Sequence, residues 1–209
     1  MSAIQLLHQY LDPCPLIAII RGVTPDEVEA IGEAIYEAGI RIIEVPLNSP
    51  EPLDSITRLA AKFGDRMLVG GGTVFTPAAV SDVRDAGGRI VVSPHTSPAV
   101  IAATVAAGMV SCPGYFTPTE AFAALDAGAT ALKLFPAEAA SPAVLKSQLA
   151  VIPKDVPMIV VGGVKPKDMR AWTDAGAHGF GLGGGLYKPG QSPADTLAKA
   201  RAYVAALTA

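Results

Sequence analysis

Lys133 is the first residue whose type and setting could do chemistry, because it lies within the apolar segment Ala-Leu-Lys-Leu-Phe-Pro (131–136). The other seven lysines lie in predicted helices or loops, where solvated surface is the simplest interpretation. An apolar environment disfavours the ammonium, so the pKa falls and the neutral amine becomes a nucleophile suited to Schiff-base formation. The alternative is a lysine that extends to the rim of the fold or pairs with a carboxylate.

Glu44 is the carboxylate that stands out in the same way, since it ends a predicted apolar strand in Arg-Ile-Ile-Glu-Val-Pro (41–46). Alternation along a strand places Glu44 on the same face as Ile42. A carboxylate turned inward near Lys133 would be a general acid–base group with a raised pKa. Alternatively, Glu44 is only the counter-ion of Lys133 or Arg21.

Two glycine-rich segments and two polar side chains predict a site for an anionic substrate. Residues 161–164 and 181–185 end the seventh and eighth predicted strands, where barrels commonly hold a phosphate with backbone N–H groups and a short helix. Each segment could also be only a tight turn. Arg21 and Thr73 follow the first and third strands and can hold an anionic group by charge and by hydroxyl donation, although a structural role is equally open.

The sequence offers no pattern for a metal or for a nucleotide cofactor. His8, His95 and His178 lie far apart, and no His/Asp/Glu cluster has ligand spacing. Neither a Rossmann fingerprint nor a P-loop is present. We therefore expect chemistry that needs no metal and no cofactor.

The elements that position these residues are indicated by a repeated helix start. A hydroxyl residue followed by proline recurs about every 20 to 27 residues, and Lys165-Pro166 stands where an eighth member is due. Ser or Thr at an N-cap accepts a bond from a free backbone N–H, and proline at the next position lacks the donor that would stay unsatisfied. The members are Thr24-Pro25, Ser49-Pro50, Thr76-Pro77, Ser97-Pro98, Thr117-Pro118, Ser141-Pro142 and Ser192-Pro193.

A short apolar run precedes each helix start and is typical of a buried parallel strand. Several preceding helices end in Ala-Gly, where glycine can close the helix in the left-handed conformation. Eight alternating units without a break in composition predict a closed (β/α)8 barrel, with an added N-terminal helix over residues 2–11. The predicted strands cover residues 16–20, 40–45, 67–69, 89–92, 109–112, 131–135, 158–161 and 179–182.

Length and composition agree with one soluble domain over residues 1–209. Half of the 209 residues are hydrophobic and 17% are charged, yet no apolar run reaches the roughly 18 residues that span a bilayer. The start of the chain has no secretory pattern, and the two cysteines have no metal spacing. A net charge of −3 without a basic run argues against nucleic acid. We expect a cytoplasmic protein without nucleic-acid or membrane partners.

In combination, these motifs resemble the 2-keto-3-deoxy-6-phospho-sugar-acid aldolases over nearly the full length. The matching segments are Ile-Ile-Arg-Gly-Val-Thr-Pro (19–25), Ile-Glu-Val-Pro-Leu-Asn-Ser-Pro (43–50), Gly-Gly-Gly-Thr-Val (70–74), Cys-Pro-Gly (112–114), Leu-Lys-Leu-Phe-Pro-Ala-Glu (132–138), Val-Gly-Gly-Val (161–164) and Gly-Leu-Gly-Gly-Gly-Leu-Tyr (181–187).

The resemblance implies a class I, Schiff-base aldolase that cleaves a phosphorylated keto-deoxy sugar acid into pyruvate and glyceraldehyde 3-phosphate. Lys133 would attack the keto carbon and Glu44 would move protons. Arg21 and Thr73 would belong to the substrate site, with Thr73 facing the pyruvyl carboxylate. Family members are usually homotrimers. The phosphate would be bound by Gly162, Gly163, Gly183 and Gly184.

Two departures favour the galactonate-type branch of the family over the gluconate type. Asn48 stands where gluconate-type aldolases have an arginine, which leaves Arg21 as the anion partner. Val161 stands where they have a threonine, whose hydroxyl can select one stereochemistry at C4. The expected substrate is 2-dehydro-3-deoxy-6-phosphogalactonate. The alternatives are the gluconate epimer, another phosphate-binding barrel such as a metal-dependent aldolase, and a non-catalytic phosphosugar-binding barrel.

Overall fold

Short, apolar, β-branched segments form eight parallel strands that close into a barrel in sequence order, in a computed structural model that describes residues 1–208. Strand β8 pairs with β1, so the sheet has no edge. The (β/α)8 prediction is confirmed. The strands are β1 Leu16–Ile19, β2 Ile42–Pro46, β3 Leu68–Gly72, β4 Ile90–Ser93, β5 Val110–Tyr115, β6 Leu132–Leu134, β7 Met158–Val161 and β8 Gly179–Leu182.

Helices follow the strands and cover the outer face of the barrel. The five Ala-Gly sites at 39, 87, 108, 128 and 176 all have glycine at positive φ, as the C-terminal motif predicts. Short 3-10 turns occupy Gly64–Arg66, Ala137–Ala139 and Pro166–Asp168. The α-helices are α1 Ala3–Leu11, α2 Pro25–Glu37, α3 Pro52–Phe63, α4 Pro77–Asp85, α5 Pro98–Ala106, α6 Pro118–Asp126, α7 Pro142–Gln148, α8 Met169–Asp174 and α9 Pro193–Ala205.

Alternation along the strands divides the apolar residues between two clusters. Ile42 belongs to the cluster inside the barrel, whereas Ile43 and Val45 belong to the larger cluster between the strands and the helices. Helix α1 contributes Leu7 and Leu11 to the interior cluster, and both side chains are almost fully buried. The predicted N-terminal helix therefore closes one end of the barrel, and the other end remains open.

Six of the seven Ser/Thr-Pro pairs begin a helix at the proline, whereas Lys165-Pro166 begins a 3-10 turn and α8 begins at Met169. Thr117 and Glu120 form a reciprocal capping box. The predicted start at Ser49-Pro50 is wrong, because α3 begins at Pro52. The Ser49 hydroxyl instead accepts the N–H of Gly22 at 2.9 Å, from the loop after β1. Because Gly22 is distant in sequence from Ser49, no local sequence pattern indicates this hydrogen bond.

Two strands end three residues later than predicted, after residues that usually end strands. Strand β3 continues through its three glycines to Gly72, where an added Cβ would lie 1.9 Å from Glu44 Oε2. Strand β5 continues to Tyr115, and Gly114 pairs with Lys133. Position 72 in β3 therefore requires glycine, because the Glu44 side chain occupies the space that a Cβ would need.

Among the helices of residues 1–208, none combines the length and the apolar character that are needed to cross a membrane.

Candidate active site

A cavity of about 500 Å³ opens at the carboxyl ends of the strands, where barrels of this type carry their chemistry. Nine of the ten side chains and glycines selected from the sequence line it. The tenth, Asn48, contacts the site through Arg21. The nine lining residues are Arg21, Glu44, Thr73, Lys133, Val161, Gly162, Gly163, Gly183 and Gly184.

Lys133 is the buried cation of the cavity, with 6% of its surface exposed. Strand β6 holds it between Gly114 and Ile159, and its Nζ lies 4.6 Å from the centroid of the Phe135 ring. Burial away from water lowers the pKa of Lys133, although the nearby Glu44 opposes this shift. Burial therefore favours the neutral amine, which is the nucleophilic form of the side chain.

Glu44 lines the same cavity from β2 and is 2% exposed. Burial raises its pKa to about 7, against the opposing charges of Lys133 and Arg21. Its Oε2 is buried without a hydrogen-bond partner, and no ion pair with Lys133 occurs in residues 1–208. A carboxyl group that titrates near neutrality can both give and take a proton under physiological conditions.

Arg21, Asn48 and Thr73 form a hydrogen-bonded group beside the carboxylate. The Arg21 guanidinium donates to the Asn48 side-chain oxygen and, at 3.3 Å, to the Thr73 hydroxyl. Thr73 has a φ of 58°, which is costly for a β-branched residue and occurs mainly where the surroundings impose it. Asn48 thus holds Arg21 in place, which the sequence did not indicate.

Val161 ends strand β7 and presents an apolar side chain to the cavity with 6% exposure. Gly181 on the adjacent strand makes room for it, since an added Cβ there would lie 2.6 Å from Val161 Cγ2. The wall at this point offers no hydrogen-bond donor. The hydroxyl of a threonine at position 161 would reach the cavity as the methyl groups of Val161 do.

The two glycine turns face the cavity with unused backbone donors. Within residues 1–208, the N–H groups of Gly163, Gly184 and Gly185 donate to no protein acceptor outside strand and helix ladders. Gly162 and Gly163 have φ values of 120° and 62°, which glycine adopts without strain. The helix expected after β8 is replaced by a turn, in which Tyr187 N–H donates to Gly183 O at 3.1 Å.

Five further polar or charged side chains line the cavity and were not selected from the sequence: Glu138, Lys165, Tyr187, Lys188 and Tyr203. Lys165 and Lys188 each follow a glycine turn. Arg21 was selected because it is a polar residue that follows a strand, and the same criterion also selects Lys165. Glu138 lies against Gly162 and Gly163 and occurs in a segment noted only as part of a motif. Tyr203 reaches the cavity from α9, and no local pattern marks it.

The described residues do not form a recognisable metal site. Residues 1–208 contain no group of three His, Cys, Asp or Glu side chains arranged to hold a metal ion. The polar groups of the cavity are three amines, two carboxylates, a guanidinium, hydroxyls and backbone N–H groups.

Known proteins are similar to this chain over most of its length. Residues 7–195 match the family described as "Aldolase: KDPG and KHG aldolase". The 2-dehydro-3-deoxy-6-phosphogalactonate aldolase of Escherichia coli (strain K12) is 45% identical over 95% of this chain and 97% of that protein. The probable 2-dehydro-3-deoxy-6-phosphogalactonate aldolase of Rhizobium meliloti (strain 1021) is 46% identical over 93% of this chain and 92% of that protein.

A solved structure described as "Native KDPGal structure" superposes with a TM-score of 0.92 at 45% identity, and the match covers 93% of this chain and 94% of that one. The family match, the sequence identity and the structural superposition lead to one conclusion. The chain belongs to the KDPG and KHG aldolase family.

Proposed function

We propose that this protein is a class I aldolase that cleaves 2-dehydro-3-deoxy-6-phosphogalactonate into pyruvate and D-glyceraldehyde 3-phosphate. The observation that carries the proposal is the burial of Lys133 inside the barrel, in one cavity with Glu44 and both glycine turns. An amine, a carboxyl group with a pKa near 7 and an anion site are the three components that the reaction requires.

The first step is addition of the neutral Lys133 amine to the C2 keto carbon of the substrate. The resulting carbinolamine loses its hydroxyl group as water, with a proton supplied by the protonated carboxyl of Glu44. The product is a protonated imine between Lys133 and C2. Since burial raises the pKa of Glu44 to about 7, the protonated acid is available for this step near neutrality.

The second step breaks the bond between C3 and C4. A base removes the proton of the C4 hydroxyl, either the Glu44 carboxylate or a water that it activates. The C4 oxygen becomes an aldehyde, and the electron pair of the broken bond passes to the imine nitrogen and forms an enamine. D-Glyceraldehyde 3-phosphate leaves. Glu44 then returns a proton to C3, and water hydrolyses the imine to release pyruvate and the free Lys133 amine.

Charge complementarity supports the orientation of the substrate. Arg21 and Thr73 would bind the carboxylate end, where a guanidinium and a hydroxyl offer fixed donors. Gly162, Gly163, Gly183 and Gly184 would hold the phosphate with backbone N–H groups, and the space beside Gly183 and Gly184 is free of side chains. The cavity spans both groups of residues.

The choice of the galactonate epimer rests on Val161 and on the names of the two relatives described above. Val161 leaves the C4 region of the cavity without the hydroxyl donor that a threonine would supply. Comparing kcat/KM on the two epimers tests this choice, and equal values would exclude strict selection.

Three further properties are proposed, the trimer from the family resemblance and the other two from length and composition. The chain forms a single domain over residues 1–209, it assembles as a homotrimer, and it acts in the cytoplasm. Sedimentation equilibrium of the purified protein tests the trimer.

Reductive trapping tests the mechanism directly. Borohydride added with pyruvate should reduce the imine, attach one pyruvyl group to Lys133 and abolish turnover. The Lys133→Ala variant should accept no adduct, whereas Lys154→Ala, at an exposed lysine away from the cavity, should be labelled like the wild type. Peptide mass spectrometry that finds Lys133 unmodified in the treated wild type would refute the Schiff-base mechanism.

A further inference from the structure

Tyr203 connects the two glycine turns of the cavity. It is 4% exposed in helix α9 and lines the cavity wall. Its hydroxyl donates to the Val164 carbonyl oxygen at 3.0 Å, directly after Gly162 and Gly163. The same hydroxyl lies beneath Gly185 in the turn after β8. One side chain thus contacts the backbone that follows β7 and the backbone that follows β8.

Close packing explains why position 185 is a glycine. A Cβ added to Gly185 would lie 2.3 Å from the Tyr203 hydroxyl oxygen, a distance that real Cβ atoms do not show. The φ of Gly185 is outside the left-handed region, so backbone strain does not require glycine there. The missing side chain lets the second turn rest on the tyrosine.

We propose that Tyr203 is a positioning residue that sets the spacing of the two turns, so that their N–H donors converge on one phosphate group. The inference rests on the proposed function, in which both turns hold the substrate phosphate. Backbone donors bind an oxyanion well only when they are already arranged around it, because the protein otherwise spends binding energy on ordering them. Tyr203 touches no reacting atom, so its effect falls on phosphate binding and not on the chemical steps at Lys133.

The first test is Tyr203→Phe, which removes one hydrogen bond and keeps the ring. The loss of one hydrogen bond corresponds to about a threefold to tenfold change, so KM for the phosphorylated substrate and the inhibition constant of inorganic phosphate should rise by about that factor. The kcat and the rate of borohydride trapping with pyruvate should stay within about twofold of the wild type. Unchanged phosphate inhibition, or an equal fall in trapping, would overturn the inference.

Tyr115→Phe is the matched control. The Tyr115 hydroxyl is also buried and donates to Gln148 Oε1 at 3.0 Å, but the residue does not line the cavity. Both variants lose one buried hydrogen bond of a tyrosine. A general loss of stability would therefore affect both, whereas a selective loss of phosphate affinity should appear only in Tyr203→Phe.

A second variant makes the test independent of that hydrogen bond. Gly185→Ala places a methyl group against the Tyr203 hydroxyl and should raise KM and the phosphate inhibition constant more than Tyr203→Phe does. In the double variant the hydroxyl is gone, and the nearest remaining ring atom, Cζ, would lie 3.4 Å from the new Cβ. The double variant should therefore bind phosphate better than Gly185→Ala alone. Additive effects of the two substitutions would contradict the proposed contact.

The experiment separates this inference from the proposed function. If the wild type shows no trapping and no cleavage, the proposed function fails, but calorimetric titration with inorganic phosphate still tests Tyr203. Weaker phosphate binding by Tyr203→Phe than by Tyr115→Phe would support the positioning role in that case as well. Wild-type protein that binds no phosphate would overturn the inference.

Discussion

At the residue scale, the notable property of Lys133 and Glu44 is that burial favours the uncharged form of each. Burial lowers the pKa of the amine and raises the pKa of the carboxyl group to about 7. A neutral amine beside a protonated acid is the state needed for attack on a ketone and loss of water. The same desolvation that costs stability thus prepares the two groups for the proposed reaction.

Replacing Glu44 by Gln should separate its catalytic role from its effect on stability. Turnover should fall by about a hundredfold or more, the range usual for general acid–base groups. The raised pKa means that Glu44 ionises in the unfolded chain, near its ordinary value of 4.5, before it ionises in the folded one. The contribution of Glu44 to wild-type stability therefore falls as the pH rises from 4.5 to about 7, a loss that Gln does not share.

Urea unfolding at two pH values measures this difference. At pH 8, Glu44→Gln should be more stable than the wild type by up to a few kcal/mol, since one pKa unit corresponds to about 1.4 kcal/mol. At pH 4.5 the advantage should largely disappear. Glu51→Gln, at an exposed position, should show no such pH dependence. Near-normal turnover in Glu44→Gln would mean that Glu44 is only a counter-ion.

Val161→Thr tests stereochemical selection at nearly constant volume. The new hydroxyl would face the cavity, because Val161 is 6% exposed and lines its wall. We expect kcat/KM on the gluconate epimer to rise at least several-fold relative to the galactonate epimer, since a hydroxyl donor discriminates more strongly than a methyl group. If the ratio of the two values does not change, selection at C4 lies elsewhere in the cavity.

At the scale of elements, strand β3 shows how a run of glycines serves a neighbouring side chain. Gly72 faces the interior, where the Glu44 carboxylate occupies the space that a Cβ would need, 1.9 Å from Oε2. Gly71 faces outward, and an added Cβ there would lie 2.5 Å from Val83 Cγ2. Adjacent glycines therefore provide room for the carboxylate on one face and for helix α4 on the other.

Gly72→Ala and Gly71→Ala form a matched pair on this strand. Gly72→Ala should displace the Glu44 carboxylate and lower kcat by at least about tenfold, in the manner of a misplaced general acid. Gly71→Ala should cost about 1–3 kcal/mol of stability through overpacking and leave kcat close to the wild-type value. Steady-state kinetics and urea unfolding on both variants check the assignment, and equal kinetic effects would contradict it.

The elements were predictable where their signals are local. Thr117 and Glu120 lie within one helical turn, so the capping box could be recognised in the sequence alone. Ser49 was misassigned because its hydroxyl binds Gly22, a partner known only after β1 and β2 are placed side by side. The glycines of β3 lie beyond the predicted strand end at residue 69 for the same reason, since the side chain that needs the space belongs to another strand.

At the scale of the whole molecule, the repeat of eight units was sufficient to predict the barrel and to bring Lys133, Glu44 and the glycine turns together. The sequence did not reveal Tyr203, because a residue of the last helix reaches the cavity only when the barrel has closed. Asn48 was assigned to specificity, and its bond to Arg21 likewise depends on two loops from different units.

Helix α1, which covers the closed end of the barrel, allows a test of whether stability can be lowered without a change in activity. Leu7 of α1 is 1% exposed and packs into the barrel interior, at the end away from the cavity. Leu7→Ala should lower the free energy of unfolding by about 2–5 kcal/mol, the usual cost of a cavity in a packed core. The kcat and KM measured well below the melting temperature should stay within about twofold. A large change in kcat would show that the two ends are coupled.

In a ring of eight strands, β2 and β6 stand diametrically opposite each other, so Glu44 and Lys133 project from facing walls. The distance between Glu44 and Lys133 is therefore set by the circumference of the barrel and not by the chain segments next to either residue. The surrounding loops can therefore change in sequence to accept other sugars without altering the distance between the carboxyl group and the amine. A slip of either strand by one residue would turn its reactive group out toward the helices, and no loop could compensate for it.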